Sequence, residues 1–228
     1  MIGIFDSGDG GLCTLKKIRE MDKNVDVVFL ADSKNAPYGT KTAAEILEIS
    51  ANNINTLIDC GAESVLIACC TASSLHQYLP RRERELSLPI IDATVRLAKK
   101  KMADRFLNAA VICTEASARF GAFNRSIRRE IPNAKCASYP MQELVTLVQQ
   151  GARDESLTVS QYRRCKEILS KIKNENFDIL ILGCTHFPML EKTISSILDK
   201  ETVSSAYAGA AEILKRTDGC GSGKTIYI

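Results

Sequence analysis

One stretch constrains the fold more than any other: four branched apolar residues at 179–182, followed by Gly-Cys-Thr-His at 183–186. An uninterrupted run of branched apolar side chains is typical of a central parallel strand that is covered on both faces. Glycine ends this strand, and Pro188 is suited to the first turn of a helix. Cys184 is therefore predicted between a strand end and a helix start, which is where open α/β sheets bind ligands.

The same arrangement occurs once earlier in the chain. An apolar run at 64–68 leads to Cys69, a threonine two positions later and another predicted helix start. Strand and helix patterns alternate along the chain, which predicts an α/β fold of mainly parallel sheets flanked by helices. The repeated arrangement predicts two similar half-units, each presenting one thiol.

A domain boundary is predicted where the pattern restarts, near Thr94. The first domain would comprise residues 1–93 with 205–228, and the second residues 94–204, so that each carries one of the two thiols. A chain of 228 residues is long enough for two domains of roughly 100 residues.

Charge and hydropathy argue against nucleic-acid and membrane partners. There are 30 basic and 27 acidic side chains, and a net charge of +3 is too small to indicate nucleic-acid binding. No apolar run approaches the ~20 residues of a membrane span. The N-terminus lacks the basic and apolar regions of a signal peptide, so we expect a cytoplasmic protein.

Cysteine usage fits that expectation. Nine cysteines, an odd number, are read as reduced thiols rather than as a disulfide framework. No Cys-x-x-Cys pair is present and the chain has only two histidines, so no structural zinc site is expected.

Local patterns give further predictions. A Gly-rich loop at 6–11 follows the first strand and exposes backbone N–H groups, which favours a small anion such as a carboxylate. It has neither the P-loop nor the dinucleotide-binding spacing. A strand is predicted at 88–92, a helix through Leu75 and Leu79, and a flexible tail at 219–224.

The two thiols allow two chemistries. Each precedes a predicted helix N-terminus, which should lower its pKa, although a buried cysteine is more often a core residue. Redox exchange would join Cys69 and Cys184 in a disulfide. Proton transfer at carbon would place a substrate between them. The chain has no nicotinamide, flavin or pyridoxal motif, which favours proton transfer without a cofactor.

A weaker alternative is a thiol phosphatase. Cys113 and Arg119 have the required spacing after a predicted strand. However, Glu115 would repel phosphate, and Phe120 occupies the position where a hydroxyl would help the thiolate leave.

Four motifs together resemble those of the glutamate racemase family, in order and with similar spacing. They are Asp6-Ser7-Gly8 with Gly10-Gly11, Asp32-Ser33 with Pro37-Tyr38-Gly39, Ala68-Cys69 with Thr71-Ala72-Ser73, and Gly183-Cys184-Thr185-His186-Phe187-Pro188. The resemblance implies two pseudo-symmetric domains with the active site between them. It also implies cofactor-independent interconversion of L- and D-glutamate for peptidoglycan synthesis in a bacterial cytoplasm, by an enzyme that could be a homodimer.

The resemblance also assigns roles by position. Cys69 and Cys184 match the paired acid/base thiols, with Cys69 facing the α-hydrogen of D-glutamate and Cys184 that of L-glutamate. Asp6 and His186 match the groups that assist the two thiols. Further positions match substrate-binding residues: Asp6, Ser7, Pro37, Tyr38, Gly39, Cys70, Thr71, Ser117, Thr185 and His186.

Departures from the family pattern leave the substrate open. Cys70 stands where the family has asparagine, Gln149 where a glutamate supports His186, and residues 91–94 where a Glu-Pro segment is common. Besides glutamate, the alternatives are a racemase or isomerase acting on aspartate or another small acidic substrate, and a relative that only binds its ligand.

Overall fold

The computed structural model describes residues 1–102 and 108–228, and within them two sheets in which every strand pair is parallel. The strands are β1 Ile2–Asp6, β2 Val27–Ala31, β3 Ser64–Ile67, β4 Ser87–Pro89, β5 Asn108–Cys113, β6 Lys135–Pro140, β7 Ile179–Gly183, β8 Thr202–Ser204 and β9 Thr225–Tyr227. The first sheet has the order β4-β3-β1-β2-β9 and the second the order β6-β5-β7-β8. The prediction of an α/β fold with parallel sheets flanked by helices is confirmed.

Helices connect the strands. The α-helices are α1 Leu12–Met21, α2 Ala43–Asp59, α3 Cys70–Ser73, α4 Arg81–Leu86, α5 Ile90–Met102, α6 Glu115–Phe120, α7 Ala122–Glu130, α8 Gln142–Gln149, α9 Val159–Leu169, α10 Glu191–Leu198 and α11 Ser205–Ile213. Short 3₁₀ turns include Tyr38–Thr40 and Phe187–Leu190. Within the described residues, no helix is long and apolar enough to cross a membrane.

The central strands are buried because they consist of branched apolar residues. All five residues of β7 and all four of β3 are buried. One apolar cluster contains Ile4 from the first sheet and Ile181 from the second, together with Val95 of α5 and Ile213 of α11. These two helices therefore pack against both sheets and hold their carboxyl ends in a fixed relation.

The strand predicted at 88–92 is wrong in its extent. β4 ends at Pro89, which lacks the N–H group that a continuing ladder needs, and α5 begins at Ile90. Ile91, Val95 and Ala98 recur at helical spacing and are buried. The predicted domain limit at residues 93 and 94 lies within α5, whereas the limit at 204 and 205 falls between β8 and α11. The division into domains stays a prediction.

The prediction of a flexible tail at 219–224 is also wrong. The backbone N–H groups of Ser222 and Lys224 donate to Asp26 Oδ1 at 3.0 and 2.8 Å, and β9 then pairs with β2. The helix predicted through Leu75 and Leu79 is divided: α3 ends at Ser73, and a 3₁₀ turn at His76–Tyr78 follows.

Candidate active site

A cavity of about 610 Å³ lies where the carboxyl ends of strands from both sheets come together. This agrees with the general rule that parallel sheets bind ligands beyond their carboxyl ends. The cavity is lined by loop residues that follow strands and by one face of α8. The lining residues are Ser7, Gly8, Asp9, Ser33, Ala36, Pro37, Tyr38, Gly39, Thr40, Cys69, Cys70, Thr71, Thr114, Glu115, Ala116, Gln142, Val145, Gln149, Cys184, Thr185 and His186.

Cys69 comes from the first sheet. It follows β3 at the start of α3, and its Sγ lies 3.3 Å from Ser7 Oγ. The expected lowering of its pKa by the helix N-terminus is wrong. Burial, followed by the negative charge of Asp6, raises the pKa of Cys69 to about 11. A helix of four residues has too small a dipole to offset the loss of water around the thiol.

Cys184 comes from the second sheet and has a different partner. Its Sγ lies 3.7 Å from His186 Nδ1. Burial again raises the pKa of this thiol above its ordinary value, contrary to expectation. The ring of His186 is itself buried, and its Nε2 lies 3.5 Å from Asp9 Oδ1. Burial lowers the pKa of His186, and the Asp9 carboxylate opposes that effect.

Asp6 does not line the cavity. It ends β1, is fully buried, and accepts a hydrogen bond from the backbone N–H of Gly8 at 3.0 Å. Burial raises the pKa of Asp6 to about 7. Its carboxyl group therefore changes protonation near neutral pH, and its charge acts on the neighbouring Cys69.

The turn at 37–39 lines the cavity, but not as the sequence predicted. Tyr38 is buried and its hydroxyl donates to Asp32 Oδ2 at 2.6 Å, while Asn53 Nδ2 donates to both. Burial and this hydrogen bond raise the pKa of Tyr38 above its usual range. The Tyr38 hydroxyl is thus hydrogen-bonded to Asp32 and Asn53 rather than directed at a substrate. The space beside the Cα of Gly39 is open among the described residues, so a ligand in the cavity can approach the backbone there.

Hydroxyl groups connect the two halves of the cavity. Thr71 Oγ1 lies 3.2 Å from Thr114 Oγ1 and 3.5 Å from Ser117 Oγ. Thr114 is the N-cap of α6 and lines the cavity, whereas Ser117 is buried behind it. Sequence reasoning selected Ser117 and missed Thr114. A threonine placed three residues before the N–H that it caps is the signal that could have identified it.

The thiol-phosphatase alternative finds no support. Cys113 is fully buried in β5, lies outside the cavity, and burial raises its pKa to about 12. All nine cysteines are free thiols. Within residues 1–102 and 108–228, no group of three or more His, Cys, Asp or Glu side chains is placed to hold a metal ion.

Comparison with known proteins identifies the family. The protein-family model described as Asp/Glu/Hydantoin racemase matches residues 15–213 of this chain. The chain belongs to this racemase family. A glutamate racemase of Aquifex aeolicus is 34% identical over 230 residues, covering 97% of this chain and 85% of the relative. The family assignment makes the protein an isomerase, an amino-acid racemase.

Solved structures agree with this racemase assignment. Glutamate racemase from Francisella tularensis in complex with D-glutamate is 28% identical and has a TM-score of 0.82, covering 99% of this chain and 85% of that one. Glutamate racemase from Aquifex pyrophilus is 31% identical and has a TM-score of 0.75, covering 98% and 86%.

Several cavity residues of this racemase were not selected from the sequence. They include Asp9, Gln142 and Val145. Gln142 and Val145 lie on the face of α8 that lines the cavity. Packing between the two halves brings them to the cavity, and no local pattern indicates it.

Proposed function

We propose that this racemase interconverts L- and D-glutamate without a cofactor, using Cys69 and Cys184 as its two acid/base groups. The observation that carries the proposal is that these two thiols come from different sheets and line one cavity. A cavity of about 610 Å³ is large enough for a small amino acid. Neither thiol has a cysteine partner, which favours proton transfer over disulfide exchange.

In the proposed reaction, the α-carbon lies between the two sulfur atoms. For L-glutamate, the Cys184 thiolate takes the α-proton, so that a C–H bond breaks, an S–H bond forms and the electron pair stays on the substrate. The Cys69 thiol then donates its proton to the opposite face, so that an S–H bond breaks and a C–H bond forms. D-Glutamate reacts by the reverse sequence.

Both thiols are protonated in the free protein, so each needs a proton acceptor before it can act. His186 Nδ1, 3.7 Å from Cys184 Sγ, would accept the proton of that thiol. Asp6, whose pKa burial raises to about 7, would serve Cys69 in the same way. General bases act best when their pKa lies near the working pH, and Asp6 meets that condition.

Substrate binding is proposed to rest on neutral donors. Among the described residues that line the cavity there is no lysine or arginine. The hydroxyls of Ser7, Thr71 and Thr185, together with the backbone at Gly39, would therefore hold the two carboxylates. Hydrogen bonds to a charged partner are the stronger kind, at about 1.5–3 kcal/mol each, so a few suffice.

Exchange of the α-proton tests the proposal directly. The protein is incubated with L-glutamate in D₂O, and loss of the α-proton signal is followed by NMR. Cys69→Ser and Cys184→Ser should each abolish racemization, because a serine hydroxyl is a far weaker acid and a poor base at neutral pH. Near-normal turnover by either variant would refute the two-thiol mechanism. Binding of glutamate without any exchange in the wild type would indicate a protein that only binds its ligand.

Cys70 favours a second candidate substrate, aspartate or another small acidic amino acid. This thiol lines the cavity beside Cys69, where an amide in the family pattern would offer stronger hydrogen bonds. If glutamate needs that bond, Cys70→Asn should raise kcat/KM for glutamate roughly tenfold or more. Assays with both amino acids separate the cases. A fall with both would show that Cys70 itself takes part in the reaction.

The remaining expectations concern the cell. We propose a cytoplasmic enzyme that supplies D-glutamate for peptidoglycan and consists of two domains divided near residues 94 and 205, with a homodimer as its assembly. Growth of a D-glutamate-requiring bacterial strain on expression of this chain would test the role. Light scattering of the purified protein would test the dimer.

A further inference from the structure

The side chains of Asp9, His186 and Cys184 lie next to one another in the cavity, with the imidazole ring between the carboxylate and the thiol. The Asp9 carboxylate is 3.5 Å from His186 Nε2, and on the other side of the ring Nδ1 is 3.7 Å from Cys184 Sγ. Among the described residues, Nε2 is buried and has no hydrogen-bond partner of its own. Asp9 has a 64% exposed side chain, so it is free to rotate and close the remaining distance.

Backbone packing explains why Asp9 reaches the ring. The next residue, Gly10, lies directly against the strand end of the second sheet. A Cβ atom on Gly10 would overlap Thr185 Oγ1 and would lie 3.1 Å from His186 Nδ1. Only a glycine allows this approach, and it brings the first sheet's loop over the imidazole. The position of Asp9 is therefore set by the contact between the two halves.

Among the described residues, few other charges act on the imidazole. Arg153, from the segment after α8, opposes protonation of the ring, and burial does so more strongly. Asp9 is the carboxylate whose charge favours protonation. The thiol of Cys184 faces Nδ1, and Glu115 lies on the cavity wall without a contact to the ring in the described structure.

We propose that Asp9 is the positioning residue for His186: it accepts the Nε2–H, so that Nδ1 carries the lone pair toward Cys184 and takes the thiol proton. This inference rests on the proposed function for its kinetic consequence, but not for its structural one. A carboxylate that accepts from one ring nitrogen selects the tautomer in which the other is the base, and it stabilises the imidazolium that forms. Gln149, on the same cavity, cannot supply that charge.

The structural test uses ¹⁵N NMR of the imidazole rings. The chain has only two histidines, so His76→Gln leaves the signals of His186 alone. In the wild type we expect the Nε2–H tautomer and a titration that moves to lower pH by about one unit in Asp9→Asn. Asp9→Glu should keep most of the wild-type behaviour, because it retains a carboxylate on a longer side chain.

Glu115→Gln is the matched control, since it removes one negative charge from the same cavity wall. It should leave the tautomer and the titration of His186 unchanged. Unchanged spectra in Asp9→Asn, or equal changes in Glu115→Gln, would overturn the proposal.

Kinetics give the second measurement. The two enantiomers have equal free energy, so Asp9→Asn should lower kcat/KM equally in both directions, by about tenfold. The acidic limb of its pH profile should move to lower pH with the imidazole. If the wild type proves inactive on acidic amino acids, the proposed function fails, and the spectra still decide the role of Asp9. An active Asp9→Asn variant with wild-type kcat/KM and pH profile would refute that role.

Discussion

The buried carboxyl of Asp6 should make the stability of this racemase fall with rising pH, and one substitution should remove the effect. Burial raises the pKa of Asp6 from 3.8 to about 7. The folded state therefore keeps the proton that the unfolded state loses. The resulting stabilisation is fully present below the unfolded pKa and is lost as the pH rises through the folded one. Asp6→Asn has nearly the same shape and does not titrate.

The size of the effect follows from the two pKa values. One unit of difference corresponds to about 1.4 kcal/mol, so a rise from 3.8 to about 7 amounts to about 4 kcal/mol over the whole range. Between pH 5 and pH 8, the same linkage lowers the free energy of unfolding by about 2–3 kcal/mol. Other groups titrate in this range in both proteins, so the wild type is compared with Asp6→Asn at each pH.

Urea denaturation at pH 5 and pH 8 measures this difference. Any constant cost of burying the amide cancels between the two pH values. Asp32→Asn is the control: although burial raises the pKa of Asp32, hydrogen bonds from Tyr38 and Asn53 hold it below its ordinary value. That variant should keep the wild-type change between pH 5 and pH 8. If Asp6→Asn also keeps it, Asp6 is not held protonated in the folded protein.

Two further substitutions test the cavity walls. Tyr38→Phe removes the hydroxyl that donates to Asp32, so the free energy of unfolding, measured by urea denaturation, should fall by about 1.5–3 kcal/mol. KM should stay unchanged. A raised KM with wild-type stability would instead show that this hydroxyl contacts the substrate. Gly10→Ala overlaps Thr185, so we expect a loss of about 1–3 kcal/mol and of most turnover. Gly8→Ala is the matched control, because its Cβ would meet no atom of the described residues within 4 Å, and equal losses would contradict the packing argument.

Local patterns predicted most of the elements because each one has its own signal. Helix α1 begins at Leu12, directly after the glycine-rich loop, and Gly61, just past the end of α2, has the positive φ of 96° that glycine favours at such a position. The repeated run of apolar residues, cysteine and threonine likewise indicated two strand ends. These features depend on neighbours within a few positions.

Features that depend on distant contacts were missed. Nothing near Ser222 indicates that Asp26, 196 positions away, fixes it and aligns β9 beside β2. The contact of Asp9 with His186 likewise requires both halves to be packed. Tyr38 was predicted to bind the substrate, and only the packed structure shows that its hydroxyl donates a hydrogen bond to Asp32.

The protonation of the two thiols differs most from the prediction made from the sequence, and it has a consequence for their reactivity. Sequence position suggested thiolates, but burial and the charge of Asp6 keep Cys69 protonated up to a pKa of about 11, and burial raises the pKa of Cys184 as well. In the ligand-free protein, iodoacetamide should therefore modify the exposed Cys60 and Cys220 first, with Cys69 following only at strongly alkaline pH. Mass spectrometry of each peptide against pH would measure this. Labelling of Cys69 at neutral pH as fast as that of the exposed thiols would contradict it. A thiol that is neutral at rest must first give its proton to an acceptor, the role proposed for His186 and Asp6. The charge of a bound ammonium group would favour the resulting thiolate, which couples proton removal to substrate binding.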